Sequence, residues 1–274
     1  MKKYYKLWKT LGITLTAAIV TGMLLKIFVF GIFNIPTFSM TPAIQGGDRV
    51  LVNKIIYGTR LSCSVPPKGG SAKVVRLKGY DRPRKNDIVV FNPPYRHNIA
   101  RIHIDPSKFF IKRCLGVPGD TLSIAEARYI VNGKKIYGDT IAQKRLWRER
   151  AGLSVDERIL PYADTPFLWT VLDYGPIIVP GKNVEITLNS ANRFFYQKLV
   201  EYENPGKTVP TEGSYTFQKN WYFMAGDNLR SSYDSRYWGV VPEDCIIGKA
   251  VLILYARNIF ENTWKPERFL KIVR

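Results

Sequence analysis

Two side chains in this chain could together do nucleophilic chemistry without a metal. They are Ser39, held between Pro36 and Pro42, and Lys112, inside the apolar run Lys108–Leu115. A serine hydroxyl is a weak nucleophile until a neighbouring base takes its proton. A lysine can be that base only if its pKa falls, because a free amine near 10.4 is about one part in a thousand neutral at pH 7.4. Burial among apolar groups lowers it, by up to roughly 3–5 units when complete. In a strand, residues two apart share a face, so Lys112 points with Phe110 and Cys114 while Phe109, Ile111 and Leu115 cover the other side. Spacing alone leaves a second reading open for each residue: a lysine snorkelling from a strand edge, and a serine in an ordinary solvated turn.

The elements that must position this pair begin at the N-terminus. Leu11–Phe33 is a nearly unbroken apolar run preceded by Lys2, Lys3, Lys6 and Lys9 with no acid among them. At about 1.5 Å per residue such a run reaches about 34 Å, enough to cross a hydrocarbon core. Lys26 sits in its outer half, where it could snorkel or face a partner. A cleavable signal peptide is the rival, but the run is long for one and no small-x-small site follows it directly. An uncleaved anchor is therefore expected, with the lysines cytoplasmic and everything from Asn34 onward outside. Prolines cannot continue a helix, so the chain leaves the membrane extended and holds Ser39 near the lipid surface.

Composition narrows the partners. Lys and Arg number 41 against 22 Asp and Glu, a formal charge of +19 that favours anionic partners. The charge is scattered and no nucleic-acid-reading signature accompanies it, so anionic lipid headgroups fit better than nucleic acid. Cys63, Cys114 and Cys245 are odd in number and too far apart for a zinc knuckle, and read as buried thiols. With His97 and His103 the only histidines, there is little room for histidine-based metal or triad chemistry.

Beyond the anchor the pattern is that of a β protein. Strands are expected at Arg49–Asn53, Asp87–Phe91, Lys108–Leu115, Asn220–Met224 and Gly248–Tyr255, with an extended ribbon or loop over Tyr57–Lys85. Pro118-Gly119 suits the centre of a type II turn, and Asn132-Gly133 marks a hairpin. Residues 142–170 are charged and irregular. Two strands are expected about Pro180-Gly181, then a short helix over Ser190–Tyr202 with Phe195, Leu199 and Tyr202 on one face. Residues 121–220 read as an inserted, mostly β domain. The polar loop Gly226–Gly239 ends in Tyr237-Trp238, which want burial, and Asp234 and Arg236 are candidates for a paired contact that holds it. The tail Trp264–Arg274 mixes apolar and basic residues and could lie on a membrane.

Taken together, these stretches resemble bacterial type I signal peptidases (leader peptidases), membrane-bound serine proteases with a Ser/Lys dyad. Ile35–Pro42 resembles the family's serine box, Arg49–Tyr57 and Asn86–Phe91 the strands after it, Phe110–Asp120 the lysine box, and Gly226–Gly239 its Gly-Asp-Asn…Ser-x-Asp-Ser-Arg box. The resemblance implies Ser39 as nucleophile, Lys112 as general base and Ser232 as the hydroxyl that orients the lysine. It implies an oxyanion hole of the Thr37 hydroxyl and the Ser39 N–H, and structural support from Gly226, Asp227, Asn228, Asp234 and Arg236. Ala43 stands where the family usually has threonine, and Leu229 where arginine usually follows Gly-Asp-Asn.

The implied fold is mainly β: a transmembrane helix (1–33), an antiparallel catalytic core (34–120 with 221–257), the insertion (121–220) and a basic amphipathic tail (258–274). The implied substrates are preproteins bearing signal peptides, cut after a small residue at the outer face of the bacterial cytoplasmic membrane, with no metal or cofactor. An extended substrate could pair with edges near Ile35-Pro36 and Phe109-Phe110-Ile111. Two other readings share the pattern: a specialised Ser/Lys maturation protease, and a non-enzymatic membrane-tethered β scaffold for secretion partners.

Overall fold

The structure, a computed structural model, describes residues 2–64, 72–95, 101–135, 169–206 and 212–273. It opens with helix α1 (Lys2–Leu24) and a π-helical turn, Leu25–Val29. Trp8–Val29 has a mean hydropathy of 1.9, is long and apolar enough to span a membrane, and touches little else in the molecule. The apolar run does not stay helical to Phe33. Phe30–Asn34 forms β1 instead, pairing antiparallel with β2 (Asp48–Asn53) from Phe30↔Asn53 to Asn34↔Arg49. A partner strand is available to these last residues, so sheet pairing wins over the helical continuation that hydropathy alone suggests.

The Tyr57–Lys85 stretch contains a two-stranded ribbon, β3 (Arg60–Ser64) against β4 (Lys73–Arg76). Next come β5 (Ile88–Phe91) and β6 (Phe110–Gly116), then β7 (Thr121–Ala125), β8 (Arg128–Val131) and β9 (Lys134–Lys135). Asn132 and Gly133 both take positive φ at the β8–β9 turn, as the Asn-Gly signal requires. After β10 (Tyr174–Ile178) and β11 (Glu185–Leu188), helix α2 (Arg193–Glu203) buries Phe195, Leu199 and Tyr202, the face expected. The strands flanking Pro180-Gly181 do not pair with each other: β10 joins β7, and β11 joins β12 (Gly213–Thr216). The expectation for 142–170 falls, apart from Trp169 and Thr170, outside the described residues.

The chain then returns to the main sheet through β13 (Trp221–Ala225), the short helix α3 (Ser235–Trp238), β14 (Val241–Pro242), β15 (Ile246–Ala256) and β16 (Lys271–Ile272). The order is β1-β2-β15-β5-β6-β13-β14, with β16 also on β15, and all the recorded pairings are antiparallel. The tail is thus part of the sheet. Arg268 is buried against Asp48, although Phe269, Leu270 and Ile272 stay exposed.

β5 shows how the sheet is sandwiched. All four of its residues are buried, Val89 and Phe91 in a large cluster, Ile88 and Val90 in a smaller one with Ile35, Met40 and Ile111. A strand covered on both faces has no polar alternation, hence its unbroken apolar run. The large cluster also takes in Leu122, Tyr129, Phe195 and Phe217, so residues of the 121–220 block share a core with the main sheet. Leu115 departs from the expected alternation and joins Cys114 in that cluster. The β6–β13 register shifts there, Phe223 facing Gly116 and Met224 facing Cys114, so Leu115 is the extra residue of a bulge.

Candidate active site

Lys112 lies in mid-β6, between β5 and the loop that follows β13, and is 5% exposed. Its Nζ donates to Ser39 Oγ at 2.5 Å, joining residues 73 apart in sequence. Phe110 shares its side, with the amine 5.9 Å from the ring centroid, while Ile111 faces the smaller cluster. Burial drives the lysine pKa down to about 8. The Asp234 carboxylate pulls it up, the Arg236 guanidinium pushes it down, and Asp227 pulls it up again. Asp234 and Arg236 thus oppose one another at the amine, and desolvation is the largest influence. At pH 7.4 roughly a fifth of such lysines are neutral.

Ser39, 7% exposed, sits at the head of a turn anchored by the buried neighbours Met40 and Ile44. The turn is clipped from across the sheet by Asn228, whose N–H donates to Ser39 O at 3.0 Å and whose side chain donates to Phe38 O at 3.2 Å. Among the described residues the Ser39 N–H donates to no protein acceptor, and Ser39 lines the cleft. Thr37 is exposed and lines the same cleft.

The three residues opening the last box have distinct physical jobs. A Cβ on Gly226 would lie 2.2 Å from Ser232 Oγ and 2.5 Å from Ser39 O, so only glycine lets these two segments meet. Asp227 takes two hydrogen bonds of 2.7 Å from Arg113, the neighbour of Lys112. Asn228 supplies the clip on Ser39. Behind them Asp234 and Arg236 form a pair exposed by 0% and 1%. Asp234 caps α3 and accepts from Gly226 N–H, while Arg236 donates to Leu229 O and Ser232 O. Burial opposes the Asp234 charge, yet Arg236 and these donors win and hold its carboxyl below the usual range. Ser232 is buried, and its hydroxyl lies near enough to Asp234 to favour that charge without making a hydrogen bond of standard geometry.

A cavity of about 390 Å³ opens beside the pair. Of the expected residues it gathers Ile35, Pro36, Thr37, Ser39, Phe109, Phe110, Ile111 and Lys112; Ser232, Asp234 and Arg236 stand behind it. Sequence reasoning missed Phe33, Val90, Ser231 and Tyr233, which also line it, and Arg113, which braces Asp227. Phe33 was within reach, since it precedes Ile35 by two and so shares its strand face. Its ring meets that of Phe109 edge-on at 5.2 Å, joining the two walls. The β6 edge here is open. β13 pairs with β6 from Gly116 to Arg113 and then turns away at Ala225, leaving Phe110–Lys112 paired only to β5.

Fold and site together define an antiparallel-β protein with a buried serine–lysine pair, set directly behind a helix of membrane-spanning length. The family follows from comparison: the model described as signal peptidase, peptidase S26, matches residues 7–255, and the chain belongs to that family. It is 27% identical over 259 residues to signal peptidase I of Buchnera aphidicola, covering 88% of this chain and 73% of that one. Signal peptidase I of Pseudomonas aeruginosa is 28% identical over 84% of this chain and 66% of its own length. A probable signal peptidase I-2 of Synechocystis is 26% identical, with coverages of 89% and 71%. The solved signal peptidase I of Enterococcus faecalis aligns with 62% of this chain at 20% identity and a TM-score of 0.31.

Proposed function

We propose that this chain is a membrane-anchored serine endopeptidase that removes N-terminal signal peptides from exported preproteins. The Lys112 Nζ–Ser39 Oγ contact, between two buried residues beside an apolar cleft, carries this reading. The neutral lysine takes the hydroxyl proton as Ser39 Oγ attacks the scissile carbonyl. The oxyanion is met by the Ser39 N–H and the Thr37 hydroxyl, and the Ser232 hydroxyl, which makes no hydrogen bond in the resting site, turns to the amine to hold it in line. The lysinium then protonates the departing amine, leaving an acyl-enzyme, and water activated by the same lysine releases the signal peptide. The chemistry needs no metal or cofactor.

The open β6 edge on one side and Ile35-Pro36 on the other would receive the substrate as an added strand. Alternate side chains then enter the apolar cleft, where small residues fit beside Ser39. On this reading α1 crosses the bacterial cytoplasmic membrane with its lysines inside. Residues 34–120 and 221–257 form the catalytic core, 121–220 is an accessory insertion, and the basic surface and tail attract anionic headgroups.

The test is preprotein cleavage in detergent by wild type, Ser39→Ala and Lys112→Ala from pH 6 to 10. Cleavage after a small residue, absent in both variants, supports the reading. Variants as active as wild type overturn the dyad, and an inert wild type moves the scaffold reading to the front.

A further inference from the structure

The outer end of the anchor is closed in an unusual way. A helix leaves its last carbonyls without intrahelical donors, and in or near lipid each such orphan is costly. Here four successive carbonyls are satisfied, all by one short piece of the core. Lys54 Nζ donates to Lys26 O at 2.8 Å and to Ile27 O at 2.7 Å, and the Lys54 N–H donates to Val29 O at 2.8 Å. The Thr59 hydroxyl, on a residue 2% exposed, donates to Phe28 O. A cation at this end also meets the negative pole of the helix. Beyond Val29 no loop intervenes, because Phe30 is already paired to Asn53. Keeping an enzyme at a membrane needs only a flexible tether. This junction is instead clamped at four points, and β1, about 17 Å long, runs from it towards Ser39.

We infer that Lys54 and Thr59 are positioning residues that fix the height of Ser39 above the bilayer, and so select which bond of a membrane-inserted substrate is cut. The inference rests on the peptidase reading above. They act through the anchor, since neither lines the cleft, and their loss leaves the dyad as it is. A rigid height turns distance from the lipid into a coordinate of specificity: of two equally small-residued bonds, the one at the clamped level is cleaved.

The experiment uses the full chain in phosphatidylethanolamine–phosphatidylglycerol vesicles, as wild type, Lys54→Met, Thr59→Val, the double variant and Lys54→Arg. Each is assayed on a short soluble peptide and on a vesicle-inserted preprotein carrying a second Ala-x-Ala site about three residues further along. The peptide kcat/KM should stay within about twofold in the double variant, while cleavage of the inserted preprotein falls about tenfold and spreads to the second site. Lys54→Arg should restore the wild-type choice of site. Parallel loss on both substrates, or an unchanged choice of site, overturns the inference.

A second measurement does not depend on how the variants fold. Spin labels at Met23→Cys in the anchor and Thr187→Cys on β11, in a Cys63→Ser background, should give one narrow distance in the otherwise unaltered protein. A broad distribution there overturns the clamp. A wild type inert on the soluble peptide sinks the peptidase reading instead, and the distance measurement still decides the clamp.

Discussion

Arg113 and Asp227 meet through two parallel hydrogen bonds of 2.7 Å, tying the residue beside Lys112 to the residue beside Gly226. Planar forked pairs of this kind fix orientation as well as distance. β6 and the last polar loop therefore cannot slide past each other. Replacing Arg113 by Met should lower kcat by about tenfold or more with a smaller change in KM, because the dyad loses alignment rather than substrate contacts. Steady-state kinetics on a peptide reads the split.

The activity should follow the deprotonation of Lys112, whose burial brings its pKa to about 8. On the proposed reading the active form is the neutral amine, so kcat/KM should rise about tenfold per pH unit below pH 8 and flatten above it. A profile still climbing steeply at pH 10 would mean that the amine is not desolvated as the structure has it. Ser39→Ala and Lys112→Ala should each lower the rate by about a thousandfold or more.

Lys112 should also weaken the fold that holds it. Below pH 8 both states are charged, and the folded one carries the full desolvation penalty. Between pH 8 and about 10.5 the unfolded state binds the extra proton, so stability rises with pH through that window. Lys112→Met removes the penalty and should stabilise the protein at pH 7 by about 1–3 kcal/mol while abolishing cleavage. Chemical denaturation at pH 7 and pH 10 tests both halves, and the gain should shrink at the higher pH.

Gly226→Ala should be nearly inactive, because the added Cβ would fall 2.2 Å from Ser232 Oγ and 2.5 Å from Ser39 O. Thermal unfolding of the same variant should show a lowered Tm, because the Ser39 carbonyl and the Ser232 side chain must both move to admit the methyl.

Asp234→Asn should be mainly a stability defect. Arg236 would be left charged and buried without its counter-ion, a change that costs about 3–5 kcal/mol. Thermal unfolding should show it, and Arg236→Met, which strands the carboxylate instead, should cost a similar amount.

Much of this architecture is legible in the sequence. Apolar runs such as Asp87–Phe91 and Asn220–Met224 announce buried strands, and Asn132-Gly133 and Pro118-Gly119 announce their turns. Spacing alone leaves the serine and the lysine each an ordinary reading, and it is the resemblance of the four boxes that pairs them. Other features depended on tertiary partners that spacing does not encode. Phe30–Phe33 reads as membrane helix until β2 is there to pair with it. Leu115 changes sides because of a bulge one residue long. The bracing role of Arg113 needed Asp227, 114 positions away, to be visible.

The unpaired edge of β6 has a consequence for self-protection. A groove that accepts its guest through main-chain pairing tests conformation before composition, and a segment that stays helical is refused whatever its residues. The stretch of chain tethered nearest to Ser39 is its own anchor, helical down to Val29, and the residues that follow are already committed to β2. On the proposed reading, the enzyme spares the apolar segment beside its own nucleophile because that segment is helical to Val29 and built into the enzyme's own sheet beyond it.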